Sequence, residues 1–164
     1  MMRRRSGPRE GGQLQRVICL GSAHGADALA WRLGEALEAA LAGALPGVLI
    51  SARDVEVVRC ASPAQMAGAL AGADGLVILD AVVQLPAGTL RVLAPEDLVD
   101  QRAHSSHGVG LVTVLELARV LGELPASVTV LGLGVGSPDA DPRPLVALFL
   151  PEILRLLYPA DGAP

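Results

Sequence analysis

The chain contains no lysine, and all 13 of its basic residues are arginines. A lysine P-loop and Schiff-base chemistry are therefore excluded, because both depend on a lysine amine. The formal net charge is −4, and the arginines form no concentrated basic face. A nucleic-acid partner is therefore not expected.

Aromatic residues are also scarce, since Trp31, Phe149 and Tyr158 are the only three in 164 residues. The chain is nevertheless 51% hydrophobic, so its core must consist of valine, leucine, isoleucine and alanine. This length predicts one domain with a substantial core.

The chain has only two cysteines, Cys19 and Cys60, and neither belongs to a Cys-x-x-Cys pair. Both lie in or at the end of predicted strands. We therefore predict two free, buried thiols in a reducing compartment. A disulfide or a metal-binding pair is the less favoured alternative.

No stretch of the sequence is long and apolar enough to span a membrane. Three arginines at positions 3–5 resemble the start of an export signal, but only a short apolar run, residues 17–20, follows them. We predict a cytoplasmic protein with a disordered tail over residues 1–15. A single domain is expected over residues 16–159, followed by a short tail over residues 160–164.

The segment 75–81 contains four consecutive large aliphatic residues and predicts a strand buried on both faces, hence a central parallel strand. Other strands are predicted near residues 17–20, 55–58, 88–93 and 128–133. Helical patterns lie between them and after the last. The alternation predicts an α/β fold, a three-layer αβα sandwich whose twisted, mostly parallel sheet has helices on both faces.

Three polar residues are predicted at one edge of this sheet. Asp80 closes the central strand, at the edge where open α/β folds bind ligands. Asp27 falls in the first turn of the helix after the first strand, where its ordinary role would be to complement the helix dipole. His107 falls in the first turn of the helix capped by Ser105 or Ser106.

Two carboxylates and an imidazole would together favour zinc, nickel, iron or manganese. The alternative is an acid–base site formed by Asp80 and His107, with Ser105 or Ser106 as the nucleophile. However, no Gly-x-Ser-x-Gly motif is present. We expect the remaining histidines, His24 and His104, to be accessory at most.

The glycines at 132, 134 and 136 follow a Gly-x-Gly-x-Gly spacing that superficially resembles a dinucleotide-binding motif. Pro138 follows them where that motif would begin a helix. We therefore predict a tight exit from a strand and no nucleotide site.

Three pieces of the sequence resemble the hydrogenase maturation protease family. They are residues 17–32, residues 76–81 with the later 86–90, and residues 105–111 running on to 121–125. The third is the most distinctive, because Ser-Ser-His precedes a leucine-rich helix that ends Gly-Glu-Leu-Pro. The resemblance implies an endopeptidase that removes the C-terminal extension of a nickel-loaded nickel–iron hydrogenase large-subunit precursor. A non-catalytic relative that binds the precursor as an assembly factor is the alternative.

The resemblance assigns nickel binding and catalysis to Asp27, Asp80 and His107. It implies that nickel is recognised in the precursor and is not held permanently, and that water attacks the peptide without a protein nucleophile. The expected partner is the hydrogenase precursor, bound by a monomer that neither contacts nucleic acid nor inserts into a membrane.

The first loop departs from the usual family pattern. It begins Gly-Ser at residues 21–22 and ends Asp-Ala at residues 27–28, where the family usually has Gly-Asn and Asp-Asp-Gly or Asp-Glu-Gly. Asp27 thus stands where many members carry glutamate. After the second strand, Cys-Ala-Ser at residues 60–62 replaces Gly-Gly-Thr.

Overall fold

A computed structural model describes residues 13–43, 54–94, 97, 98 and 108–159. Predictions for residues 1–12, 44–53, 95–96, 99–107 and 160–164 lie outside these ranges. The described strands are β1 Leu14–Leu20, β2 Asp54–Cys60, β3 Gly75–Val82, β4 Leu90–Val92 and β5 Ser127–Gly134. The described helices are α1 Leu29–Leu41, α2 Pro63–Met66, α3 Gly108–Leu121 and α4 Arg143–Leu157, with 3-10 turns at Gly25–Ala28 and Ala67–Ala69.

The five strands form one sheet in the order β2-β1-β3-β5-β4. All neighbouring strands are parallel except β4, which pairs antiparallel with β5 at the edge. β3 is the middle strand, and most of its residues are buried. The predicted α/β fold with a mostly parallel sheet is confirmed.

Helices pack on both faces of the sheet. On one face, α1 and α4 cover a core that includes Leu79 of β3 and Phe149 of α4. On the other face, α2 and α3 cover Ile78 of β3, and Met66 and Leu111 contribute to that core. Because successive strand residues point to opposite faces, β3 must be apolar at almost every position.

Three boundaries differ from the sequence-based expectation. β1 begins at Leu14, within the predicted tail, because Leu14 pairs with Asp54 and donates its N–H to Asp74 Oδ2 at 2.7 Å. β3 continues beyond Asp80 to Val82, which pairs with Gly134. The helical pattern between the second and third strands forms only a single α-turn, Pro63–Met66, followed by a 3-10 turn, Ala67–Ala69. The first two differences depend on pairing with distant segments, which local apolar patterns do not encode.

Both thiols are free and buried, as predicted. Cys19 belongs to the core under α1, and Cys60 belongs to the core on the opposite face of the sheet. Burial raises the pKa of Cys19 to about 12 and also raises the pKa of Cys60. Because the two side chains lie on opposite faces, a disulfide between them does not form.

None of the helices in the described part of the chain has the length and apolar character needed to cross a bilayer.

Candidate functional site

The order of the strands places a topological switch point between the carboxyl ends of β1 and β3, and we name this part of the sheet edge the crevice. The chain leaves β1 through α1 on one face of the sheet and continues to β2, whereas it leaves β3 in the other direction, toward β4 and β5, with α3 on the opposite face. β1 and β3 are neighbours, so their outgoing connections diverge at this point. Such a switch point is where open α/β sheets commonly bind ligands.

Asp80 lies in β3 beside this crevice. Its partner across the ladder in β1 is Leu20, the last residue of that strand. Strand alternation places the Asp80 side chain on the face covered by α2 and α3, in the same row as Ile78 and Val82. Asp80 is only 3% exposed, and its carboxylate accepts a hydrogen bond from the Ala81 N–H. An ionisable group is therefore embedded within an apolar row.

Asp27 reaches the same crevice from the turn that precedes α1. Its carbonyl accepts a hydrogen bond from the Ser22 N–H at 3.3 Å. The same carbonyl lies so close to Gly21 that a Cβ at that position would overlap it, and such a Cβ would lie 3.5 Å from Asp27 Oδ1. Gly21 directly follows Leu20. The absence of a side chain at residue 21 thus lets Asp27 fold back onto the end of β1, next to Asp80.

The two carboxylates interact electrostatically. Burial raises the pKa of Asp80 to about 7, the negative charge of Asp27 contributes to this rise, and the hydrogen bond from Ala81 partly opposes both effects. A carboxyl group with such a pKa can gain or lose a proton near neutral pH. A bound cation would offset the cost of burying the ionised Asp80 carboxylate, and it would also offset the repulsion from Asp27. The pair is therefore suited either to proton transfer or to binding a divalent cation.

His107 lies outside the described residues, as do His104, Ser105 and Ser106. The next residue, Gly108, is the first residue of α3. A Cβ on Gly110 would lie 3.1 Å from Pro63 Cγ, so the beginning of α3 packs beside the beginning of α2. That end of α3 is thus at the carboxyl edge of the sheet, on the face toward which Asp80 points.

His24 is exposed at the start of the Asp27 turn, and its N–H bonds to Ser22 Oγ at 3.3 Å. Within residues 13–43, 54–94, 97, 98 and 108–159, no three histidine, cysteine or acidic side chains are grouped so that they could hold a metal. The described part of the site consequently provides two carboxylates. A third ligand would have to come from elsewhere in the chain or from a substrate.

Residues 135–139, which we name the exit segment, border the crevice after β5. The Val135 N–H donates to the Val82 carbonyl at 3.1 Å, and the Ala26 N–H donates to the Pro138 carbonyl at 3.3 Å. A Cβ on Gly134 would overlap the Pro86 carbonyl. Gly134 thus permits close backbone packing, and α4 begins only at Arg143, which confirms the predicted tight strand exit. No motif in the sequence indicated that the exit segment belongs to the site, although its glycine spacing was a signal of close packing there.

A protein-family model described as HycI, hydrogenase maturation protease, matches residues 49–144, which is more than half of the chain. The matched range includes Asp80 and His107 and begins after Asp27. A search of curated proteins found no match.

Several solved structures share the fold. The hydrogenase maturating endopeptidase HybD from E. coli is 24% identical, with a TM-score of 0.66 over 88% of this chain and 91% of its own. An endopeptidase from Escherichia coli is 25% identical, with a TM-score of 0.65 over 87% of this chain and 94% of its own. The nickel–iron hydrogenase maturation protease HycI from Thermococcus kodakarensis is 18% identical, with a TM-score of 0.58 over 88% of this chain and 92% of its own.

Proposed function

Since the chain belongs to the hydrogenase maturation protease family, we propose that it is an endopeptidase acting on a nickel–iron hydrogenase large-subunit precursor. The bond cleaved would release the C-terminal extension of a precursor that already contains nickel. The observation that carries this proposal is the buried Asp80 carboxyl with Asp27 beside it at the switch point.

The proposed role of the two carboxylates is to bind the nickel of the precursor. Two neighbouring carboxylates repel each other, and a dication placed between them would replace that repulsion with attraction. We propose His107 as the third ligand. Carboxylate oxygens together with an imidazole form a donor set that suits nickel. Nickel is part of the substrate in this proposal, and the protein recognises it.

The proposed chemistry is hydrolysis without a protein nucleophile. The nickel would polarise the scissile carbonyl, and water would attack the carbonyl carbon. The C–N bond breaks, the water oxygen remains on the new carboxyl group, and a proton passes to the new amino group. The protein's contribution is to hold the metal-bearing end of the precursor over the crevice.

The test is to incubate the purified protein with nickel-loaded and nickel-free precursor and to weigh the products by mass spectrometry. We expect loss of the C-terminal extension from the nickel-loaded precursor only. Asp80→Asn, Asp27→Ala and His107→Ala should each abolish cleavage, whereas His24→Ala and His104→Ala serve as matched histidine controls and should retain it.

Two outcomes would contradict the proposal. If the parent protein binds the nickel-loaded precursor but never shortens it, the chain is a non-catalytic assembly factor, which the unusual first loop also permits. If His104→Ala abolishes cleavage and His107→Ala does not, the third ligand has been assigned to the wrong histidine.

A further inference from the structure

The exit segment connects the parts of the backbone that carry the two carboxylates. At one end, the Val135 N–H bonds to the carbonyl of Val82, two residues after Asp80. At the other end, the Pro138 carbonyl accepts a hydrogen bond from the Ala26 N–H, immediately before Asp27. A short chain of backbone contacts therefore runs from β3 through the exit segment to the Asp27 turn.

The contact with Pro138 also depends on the residue at position 25. Gly25 has a φ of +58°, in the left-handed region that favours glycine. A Cβ on Gly25 would lie 3.3 Å from the Pro138 carbonyl oxygen, closer than side chains normally approach a backbone oxygen. The next residue, Ala26, is 3% exposed. The turn therefore lies directly against the exit segment.

On its other side, the Asp27 turn contacts the end of β1. The Ser22 N–H bonds to the Asp27 carbonyl, and Gly21 provides the space that this carbonyl occupies. The turn is thus held between β1 and the exit segment. With the backbone held on both sides, the length of the side chain at residue 27 determines how far its carboxylate extends toward Asp80.

We infer that the exit segment is a positioning element that, through Ala26, holds the Asp27 backbone at a distance suited to aspartate and too close for glutamate. The functional part of this inference rests on the proposed function, because it assigns the geometry to the same nickel-recognising site. Pro138 acts through Asp27 and is not itself a catalytic residue.

The first experiment tests the structural contact without using activity. Pro138→Gly should loosen the exit segment, and the Ala26 amide should then exchange with solvent on the order of twofold to fivefold faster. Hydrogen exchange measured residue by residue by NMR reports this. Pro125→Gly makes the same chemical change after α3 and should leave Ala26 unchanged. If Ala26 exchanges at the same rate in the parent and in Pro138→Gly, the inference is wrong whether or not the protein is a protease.

A second variant covers the case in which Pro138→Gly fails to fold. Ser137 shapes the same turn, since its Oγ accepts the Asp139 N–H at 3.2 Å and its carbonyl accepts the Ala140 N–H at 3.2 Å. Ser137→Ala keeps the proline and removes one of these two bonds. It should produce a smaller acceleration of exchange at Ala26 in a folded protein, and an unchanged rate would also overturn the inference.

The second experiment is a double-mutant cycle on nickel-dependent cleavage. Asp27→Glu should lower kcat/KM by about tenfold to hundredfold, since a misplaced reacting group has costs of this size. Pro138→Gly should lower kcat/KM in the parent but raise kcat/KM in the Asp27→Glu background. The reason is that a loosened turn can move away from Asp80 and accommodate the longer side chain. A purely structural role for Pro138 would lower it by the same factor in both backgrounds.

The outcomes separate this inference from the proposed function. Equal factors in both backgrounds would overturn the positioning role while leaving the protease assignment intact. If Asp27→Glu cleaves as well as the parent, the site does not discriminate between aspartate and glutamate at residue 27, and the inference also fails. A parent protein that never cleaves contradicts the protease assignment, and the hydrogen-exchange result then decides whether the contact with the exit segment exists.

Discussion

Replacing Asp80 with asparagine should change how the stability of the protein depends on pH. Burial and the charge of Asp27 raise the pKa of Asp80 from 3.8 to about 7 in the folded state. The folded protein therefore holds a proton on Asp80 over a pH range in which the unfolded chain has lost it. The contribution of Asp80 to the free energy of unfolding must then fall as pH rises from about 4 to about 7, and it levels off above that range.

The magnitude follows from the size of the shift. Each pKa unit corresponds to about 1.36 kcal/mol, so the rise of the Asp80 pKa from 3.8 to about 7 contributes at most about 4 kcal/mol. The substitution Asp80→Asn introduces an uncharged side chain of nearly the same shape, so it removes this dependence. The amide N–H groups of the new side chain add a cost of about 1–3 kcal/mol if they lack partners, but that cost does not vary with pH. The observable is therefore the slope of stability against pH.

The assay is urea unfolding between pH 4.5 and pH 8, followed by the fluorescence of Trp31, the only tryptophan in the chain. The parent should become less stable across this range relative to Asp80→Asn. Asp54→Asn removes an exposed carboxylate at the amino end of β2, away from Asp80, and should keep the parent's slope of stability against pH. Parallel curves for the parent and Asp80→Asn would refute the argument that Asp80 is protonated because it is buried beside Asp27.

Three further outcomes are expected. Gly34→Ala should destabilise the protein by about 1–3 kcal/mol in urea unfolding, because its Cβ would lie 2.9 Å from Cys19 Sγ. Adding Cys19→Ala should recover part of that loss, and a purely additive result would contradict the steric explanation. Arg16→Met should cost about 1–3 kcal/mol, because the guanidinium donates to the Ala69 carbonyl at 2.6 Å in a largely buried position. Glu56→Gln, which weakens only the ion pair with Arg16, should cost less than about 1 kcal/mol, and equal losses would argue against the carbonyl contact. Cys19 should resist alkylation at pH 8 until the protein unfolds, because burial raises its pKa to about 12. Mass spectrometry of the digested protein measures the labelling, and alkylation of Cys19 in the folded protein would contradict the prediction.

Much of the architecture could be predicted because each strand and helix has its own local pattern. The four aliphatic residues before Asp80 indicated a strand apolar on both faces, and β3 is the middle strand of the sheet. The glycines around residue 134 indicated a tight strand exit, which the structure confirms. Element ends were less predictable, since β1 extends back to Leu14 and β3 forward to Val82 through pairing with other strands.

For the candidate site, the identities of the residues that could carry the chemistry are already visible in the sequence. It supplied carboxylates at residues 27 and 80, and its family resemblance added His107. The closeness of Asp27 to Asp80 comes from the tertiary structure, because the β2-β1-β3 order and the register of Leu20 with Asp80 bring separate segments to one crevice. Only the folded chain could bring Pro138 against Ala26, residues that lie far apart in the sequence. The raised pKa of Asp80 has the same origin, since burial and a neighbouring charge are properties of the packed protein.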